Sequence, residues 1–380
     1  SPGRFSFFLN GYGKAYDGNL PIAKKLYPHR YWDSFLLNEK NADNLIERLA
    51  SRENNDWHLL YKMTWELTPQ KKLSLSYDAS MNINQGYFMP RAFGSTYFPY
   101  RYMNILDNYN TITRDTRLIN MNWRHTLSTS SYYELTFGKF TTMEHSAVQD
   151  LHWSEYQERL DLEPINYNVD DTDLDGNIEV TYGDEFYDTG FAPEWYDLSS
   201  ENTRMDLDWV VHTKSGHKIK TGFEHTITDI QVLDIDEPWS GSSGFGANYD
   251  SYNAKTYFGA FYLQDRIIFE GMTLNVGLRT DYWIPGRYVE EAITDTGNII
   301  ITDQAREIFK KETFDFPWIN DPFKMKARLS PRFGISHPVT DNDVLYFYYG
   351  HFSQLPTFQY VYAKINSTSQ STYQVFGNPN

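Results

Sequence analysis

YFGAFYLQDRIIFEGMTLNVGLRTDYWI, residues 257–284, decides the fold. It reads as a β-hairpin. In its second arm Leu274, Val276, Leu278, Thr280, Tyr282 and Ile284 form one set, and Thr273, Asn275, Gly277, Arg279, Asp281 and Trp283 form the other. The period is two, with one apolar and one polar face. The turn is only Glu270-Gly271-Met272, and glycine supplies the backbone angles that so tight a turn needs. An apolar face opposite a charged one suits a barrel wall with lipid on one side and a wet lumen on the other.

The same alternation recurs along the chain. Trp57, Leu59, Tyr61, Met63, Trp65 and Leu67 alternate with His58, Leu60, Lys62, Thr64, Glu66 and Thr68. After Pro69-Gln70-Lys71-Lys72, Leu73, Leu75, Tyr77, Ala79 and Met81 alternate with Ser74, Ser76, Asp78, Ser80 and Asn82. Further strands are expected over 4–13, 116–127, 131–141, 203–213, 218–229, 255–269, 324–336 and 344–353. The faces of the last are ambiguous. Pro331 inside the tenth strand cannot donate to a ladder, so it predicts a bulge or a locally unpaired position. A short helix over 41–52 would put Leu45, Ile46 and Leu49 on one side.

The connections alternate too. Tight turns follow strands two, four, six, eight and ten, and long loops follow the odd-numbered strands. Short turns on one rim and long loops on the other are the outer-membrane barrel pattern, with the short rim periplasmic. On the apolar face Trp57, Tyr257 and Tyr282 fall toward the long-loop rim, and Trp65 and Tyr133 toward the short-turn rim. Two interfacial aromatic girdles would look like this.

Composition agrees. Aromatics make up 17% of 380 residues, hydrophobic residues only 40%, and mean hydropathy is -0.60. No run approaches the roughly 18 apolar residues of a membrane-spanning helix, which leaves a barrel open because a barrel spends only alternate residues on lipid. There is no cysteine, so disulfides and thiolate metal sites are excluded. No signal peptide is visible at Ser1. Residues 150–201 hold sixteen Asp and Glu against Arg159 alone, fifteen of the chain's sixteen net negative charges. No basic stripe exists for a nucleic-acid partner.

YLQDRIIF (262–269), LSPRFGIS (329–336), YGHFSQLP (349–356) and GNPN (377–380) resemble TonB-dependent outer-membrane receptors. The nearest type is the Oar-like group with a carboxypeptidase-regulatory-like N-terminal domain. The resemblance implies an all-β fold, an antiparallel transmembrane β-barrel of 22 strands with an N-terminal plug. It implies uptake of a scarce ligand across the outer membrane, powered through TonB. About eleven strands are visible, so residues 1–380 are expected to be a partial barrel, its first half. The plug, the TonB-contacting segment and the C-terminal strands would lie outside it. A long acidic extracellular loop is expected over 142–202.

The sharpest local motif is Asp171-Thr172-Asp173-Leu174-Asp175-Gly176-Asn177-Ile178-Glu179. It fits D-x-D-x-D-G, the start of an EF-hand-like Ca2+ loop. Asp171, Asp173 and Asp175 would give carboxylate oxygens and Asn177 its carbonyl. The twelfth position is Tyr182 instead of a bidentate Glu, and Glu179, Asp184 or Glu185 would substitute for it. A solvated acidic turn explains the same residues, since Asp-Gly favours turns. The ten His are scattered without a metal motif. Acidic pairs such as Asp184-Glu185 invite comparison with glycosidases, but chance pairs are inevitable in so acidic a loop. Tyr87, Phe88, Phe93, Tyr97, Phe98, Tyr100, Trp195, Tyr196 and Trp239 could stack on sugars or clamp peptides; packing the loops together is the favoured reading.

The resulting expectation is a non-enzymatic receptor and transporter in the outer membrane of a Gram-negative bacterium. Its ligand would be of siderophore, glycan or peptide class. Its partners would be outer-membrane lipid, TonB and a surface lipoprotein. A passive channel or adhesin barrel is one alternative. A secreted all-β glycan-binding protein or glycosidase is another, which strict alternation and one-sided loops argue against.

Overall fold

A computed structural model describes residues 3–14, 55–84, 102, 105, 108–162, 169–170, 179–180, 187–240, 245–269, 271–294, 303–315, 324–340, 342–355, 357–362, 364–367 and 375–376. Eleven long strands are present among them. They are β1 (Arg4–Lys14), β2 (Asn55–Thr68), β3 (Lys71–Asn84), β4 (Thr111–Ser128), β5 (Ser131–Ala147), β6 (Glu194–His212), β7 (His217–Asp236), β8 (Asn248–Phe269), β9 (Met272–Ile284), β10 (Lys324–Pro338) and β11 (Val344–Gly350). Each pairs antiparallel with the next, in sequence order, in one all-β sheet. The expected helix over 41–52 lies outside the described residues.

The registers confirm the face assignments. Leu278 sits opposite Leu263, Thr280 opposite Phe261, and Leu274 opposite Ile267. Across the next ladder Leu278 meets Pro331, Val276 meets Phe333, and Leu274 meets Ile335. The faces of β11 are settled by pairing: Leu345, Phe347 and Tyr349 join the apolar side and Tyr346 and Tyr348 the polar side. Phe7, Leu9, Phe261 and Leu263 are each more than half exposed. Leu118 and Phe140 form an apolar cross-strand pair on the polar face.

Strand tilt can be read from the same registers. One row runs Lys71, His125, Tyr133, Trp209, Thr221, Leu263, Leu278, Pro331. Lys71 opens β3 at the short-turn rim, and Pro331 stands seven residues before Pro338 at that rim. The row therefore climbs one residue per pairing over seven pairings. With about 3.3 Å per residue and about 4.8 Å between strands, the strands tilt by roughly 35°. This is the stagger of a barrel wall. The uncovered apolar band on β9, Leu274 to Tyr282, is then about 22 Å tall along the barrel axis, near the ≈ 25 Å of a membrane barrel.

Trp65, Trp123, Tyr133 and Trp209 lie on the apolar face near the short-turn rim. Trp123 Nε1 donates to Tyr133 Oη (3.3 Å) and Trp209 Nε1 to Ser131 Oγ (2.9 Å). Toward the long-loop rim the apolar band on β4–β6 stops at charges: Arg117 on Asp115 and Lys139 on Glu201 (2.8 Å).

Pro331 needs a partial correction. The β9–β10 ladder runs through it without a register shift, so no bulge forms. Its carbonyl accepts from the His351 N–H (3.1 Å), so its missing donor faces β11 just where that ladder ends. The unpaired half of the expectation holds.

The acidic loop is also corrected. Pairing runs from Ser131 to Ser146 on β5 and from Tyr196 on β6, and the loop proper is 148–193 instead of 142–202. β4, β7 and β8 are likewise longer than expected at their long-loop ends. There the sheet rises beyond the apolar band and is covered on both sides, which erases the polar-apolar alternation.

The buried core lies in this extension. On the side of the apolar face, Tyr102, Val148, Tyr156, Tyr187 and Ala192 pack on Trp195 and Ile235. On the polar side, α1 (Arg287–Thr294), α2 (Asp303–Glu312) and α3 (Phe358–Tyr362) bring Val289, Ile293, Phe309, Val361 and Tyr362 onto Ile230, Val232, Tyr252 and Trp283. The sequence reading missed α1 and α2. Their signal is slight: Val289 and Ile293 are one i,i+4 pair in an eight-residue helix.

Two glycines separate tight from open places in the wall. At Gly222 a Cβ would meet the Leu207 carbonyl oxygen at 2.5 Å and the Tyr262 hydroxyl, while around Gly11 the space is open. Gly222→Val is expected to destabilise by about 1–3 kcal/mol, and Gly11→Val to leave the urea midpoint unchanged.

Candidate functional site

Alternation puts the charges of β6–β10 on the polar face, and register brings them together. Asp208, Gly222, Tyr262 and Arg279 stand in one row across four strands. Gly222 has no side chain, so Tyr262 lies across it. Lys220 Nζ sits 5.3 Å from the Tyr262 ring centre and 3.1 Å from Asp208 Oδ1. Arg279 forks onto Glu224 (2.9 and 3.3 Å) and donates Nε–H to Asp281 (2.7 Å). Arg204 Nε contacts both Asp206 oxygens (2.9 and 2.7 Å). Forked guanidinium–carboxylate pairs are directional and hold each other in place.

This lattice borders a hollow of about 310 Å³ lined by Arg204, Lys220, Glu224, Gln264, Arg279 and Arg332 among others. Its chemistry is that of a wetted wall that can exchange hydrogen bonds with a polar solute. Sequence reading found the polar face but not the pairs, because each joins residues from different strands or across a two-residue step.

The rim above carries a second charged feature. Glu194, Asp234, Asp236 and Asp250 share the polar side of β6–β8 by register. Burial, then Glu194, Asp250 and Asp236, pushes the Asp234 carboxyl up to about 6. Burial, then Asp236, also raises Glu194. On the opposite side His145 is buried with Nε2 at 3.1 Å from Asp150 and Nδ1 at 3.4 Å from Asp197. Asp150 and Gln149 adopt positive φ (55° and 54°), so the chain turns sharply into the acidic loop there. Arg159, the loop's lone basic residue, bonds Glu237 (3.3 Å) and the Tyr102 hydroxyl (3.4 Å). It pins the loop to the β7–β8 connection. Burial pushes the Tyr102 phenol up to about 12.

Of the proposed calcium ligands, Asp171, Asp173, Asp175 and Asn177 lie outside the described residues. Glu179 is in a two-residue ladder, opposite Asp170. Of the loop aromatics, Tyr87, Phe88, Phe93, Tyr97, Phe98 and Tyr100 also lie outside. Trp195 is buried and donates Nε1–H to the Leu151 carbonyl (3.0 Å). Trp239 packs against the same cluster and Tyr196 against the one on the polar side. Packing accounts for these three.

No family model matches the sequence, and no curated protein matches it. Among solved structures the chain is similar to the ferric yersiniabactin uptake receptor FyuA from Yersinia pestis, at 7% identity and TM-score 0.44, covering 78% of this chain and 37% of that one. It is similar to the ferric-catecholate import receptor Fiu from E. coli K12, at 16% identity and TM-score 0.41, covering 79% and 47%. For the copper transporter OprC the values are 9%, 0.43, 82% and 39%. The chain spans less than half the length of each.

Burial and its acidic neighbours let the Asp234 carboxyl hold a proton in the folded state up to about pH 6, above the ordinary aspartate value of 3.8. Its charge therefore costs stability at neutral pH, and the cost disappears as pH falls below the unfolded value. Asp234→Asn is expected to stabilise the protein at pH 7.5 by about 1 kcal/mol, discounted for partial exposure. The gain should vanish in thermal melts below about pH 4.

Proposed function

We propose that this chain is part of the wall of an outer-membrane receptor that takes up a scarce ligand. The observation that carries the reading is the tilted apolar band backed by a charged lattice. A water-soluble sheet would not leave Phe7, Leu9, Phe261 and Leu263 in one uncovered face. In a bilayer that face meets lipid and the lattice lines the lumen. The short turns are then periplasmic, and the long loops and α1–α3 lie at the exterior mouth. The packing of α1–α3 against the lumen side narrows the mouth, which suits a receptor better than an open pore.

The four motifs that resemble TonB-dependent receptors support an energised cycle. TonB would act through a region outside residues 1–380. The ligand would be a siderophore, glycan or peptide, and a surface lipoprotein is a further expected partner. The run Asp171, Asp173, Asp175, Asn177 and Glu179 is proposed as a Ca2+ loop that relieves repulsion in the exterior acidic segment.

The wall is tested by single arginines. Leu75→Arg and Leu278→Arg are expected to block insertion, at about 2–4 kcal/mol each near the bilayer middle, while Ser76→Arg assembles normally. Outer-membrane fractionation with heat-modifiable gel mobility reads this; equal behaviour at the three positions would sink the barrel. The intact native polypeptide is expected to give no steady conductance in planar bilayers and to lose ligand accumulation when the inner membrane is uncoupled. A large constant conductance would identify a passive channel. For the calcium loop, Ca2+ is expected to raise the melting temperature and a chelator to reverse it, with both effects abolished by Asp173→Asn/Asp175→Asn.

A further inference from the structure

We propose that the lower lumen wall carries a carboxylate-binding subsite built on Arg332, an inference that rests on the polar face being a lumen. The charges above it are already neutralised within the lattice: Arg204 by Asp206, Lys220 by Asp208, Arg279 by Glu224 and Asp281. Arg332 differs. Among the described residues it makes no ion pair. Its guanidinium carbon stands 4.9 Å from the centre of the Phe352 ring, and its Nε is shut off from solvent with no acceptor. Stacking on an aromatic ring fixes the plane of the guanidinium. The fork is therefore held in place without the acceptor it is built to take.

The surroundings leave room for that acceptor. Arg332 lies in one row with Lys220, Gln264 and Gly277, and Gly350 flanks it on the other side. Gly277 leaves a notch on the β9 side of the guanidinium, while on the β11 side the Tyr348 ring lies over Gly350. The next row toward the short-turn rim holds Lys218, Arg266, Asn275 and Gly334. Lys218 and Arg266 also make no ion pair among the described residues. Two amides and unpaired cations thus surround a glycine notch across strands β7–β10, a patch roughly 15 Å wide.

The chemistry selects the class of ligand. A planar guanidinium fork matches a carboxylate through two parallel hydrogen bonds. Gln264 and Asn275 can donate N–H to further oxygens. The hollow of about 310 Å³ that Arg332 lines is at the lower end of small-molecule sites. It suits a compact molecule with two or three carboxylates. The subsite faces the periplasmic half of the wall, so it would hold such a molecule after it has passed the mouth.

Citrate is the probe. It is titrated calorimetrically into the full native polypeptide, extracted from outer membranes in detergent. Saturable binding that weakens with salt is expected, with none for the neutral tricarballylic triamide. Arg332→Gln should weaken citrate by at least about tenfold, the effect of one charged hydrogen-bond pair. Gly277→Leu should do the same by filling the notch. A Cβ at Gly277 meets only ordinary contacts, the nearest at 3.5 Å, so this second variant retains the fold. Unchanged citrate affinity in both variants, or no saturable binding by the parent, would overturn the subsite.

Thiol labelling separates that failure from failure of the lumen reading. The chain has no cysteine, so a single Gln264→Cys in protein reconstituted in bilayers reports water access cleanly. Reaction with a polar thiol reagent at Gln264→Cys but not Leu263→Cys supports the lumen. If citrate still fails to bind, the subsite alone is refuted. Reaction at Leu263→Cys with none at Gln264→Cys would overturn both.

Discussion

Every strand residue except proline carries a backbone donor and an acceptor that must be satisfied, and in this chain they are satisfied sideways, strand to strand. Ladders join β1 to β11 in sequence order, with register shifts at Glu66/Thr68 and Thr126/Ser128 beside the tight turns. A hairpin-by-hairpin sheet of this kind leaves one freedom, the stagger between neighbours. Here it is one residue per strand from β3 to β10. Tilt follows from that number, and so does the height of the apolar band. The rows that bring Asp208, Gly222, Tyr262 and Arg279 together follow as well. A register slip of one residue would turn Leu278 and Leu263 to the wet side and Arg279 to the apolar side.

The strands then pass through two environments. Within the band, one face is apolar and uncovered and the other is a lattice of paired charges. Beyond it, the same strands have loops on one side and helices on the other. Trp283 marks the change: it continues the polar set of β9, yet it is buried among Val289, Ile293 and Phe309 with Nε1 donating to Thr256 (2.8 Å). Burial in that upper layer is what makes the acids of the rim costly. Asp234 and Glu194 are strained electrostatically because they share a covered surface, whereas Arg279 and Glu224 below satisfy each other directly.

Legibility along the chain tracks this division. Strands β2, β3 and β9 were readable because each has one apolar and one polar face, and a period of two records that contrast residue by residue. The upper halves of β5, β6, β7 and β8 were not. Trp195, Ile235 and Tyr252 alternate with residues that are also covered, so hydrophobicity no longer marks direction. Pro331 was half legible: its missing donor was certain, but which neighbour lacked the bond depended on where β11 ends. α1 left only Val289 and Ile293 as a trace. The calcium run could be read as a motif because its ligands are close in sequence, and its residues other than Glu179 lie beyond those described.

The amino-acid sequence by itself determined the strand number, the faces of the strands before β11, the rim with short turns and the concentration of negative charge between residues 150 and 201. Those properties are local: a side chain's face depends on its parity, and a tight turn on a few residues such as Glu270-Gly271-Met272. Tertiary structure alone decided the tilt, the ion pairs and the notch at Gly277. It also decided that Arg332 stacks on Phe352 while Arg279 is forked by carboxylates. Alternation shows only that both arginines share the polar face. Which of them finds an acid depends on the register of strands far apart in the chain, and that register emerges only when the ladders form.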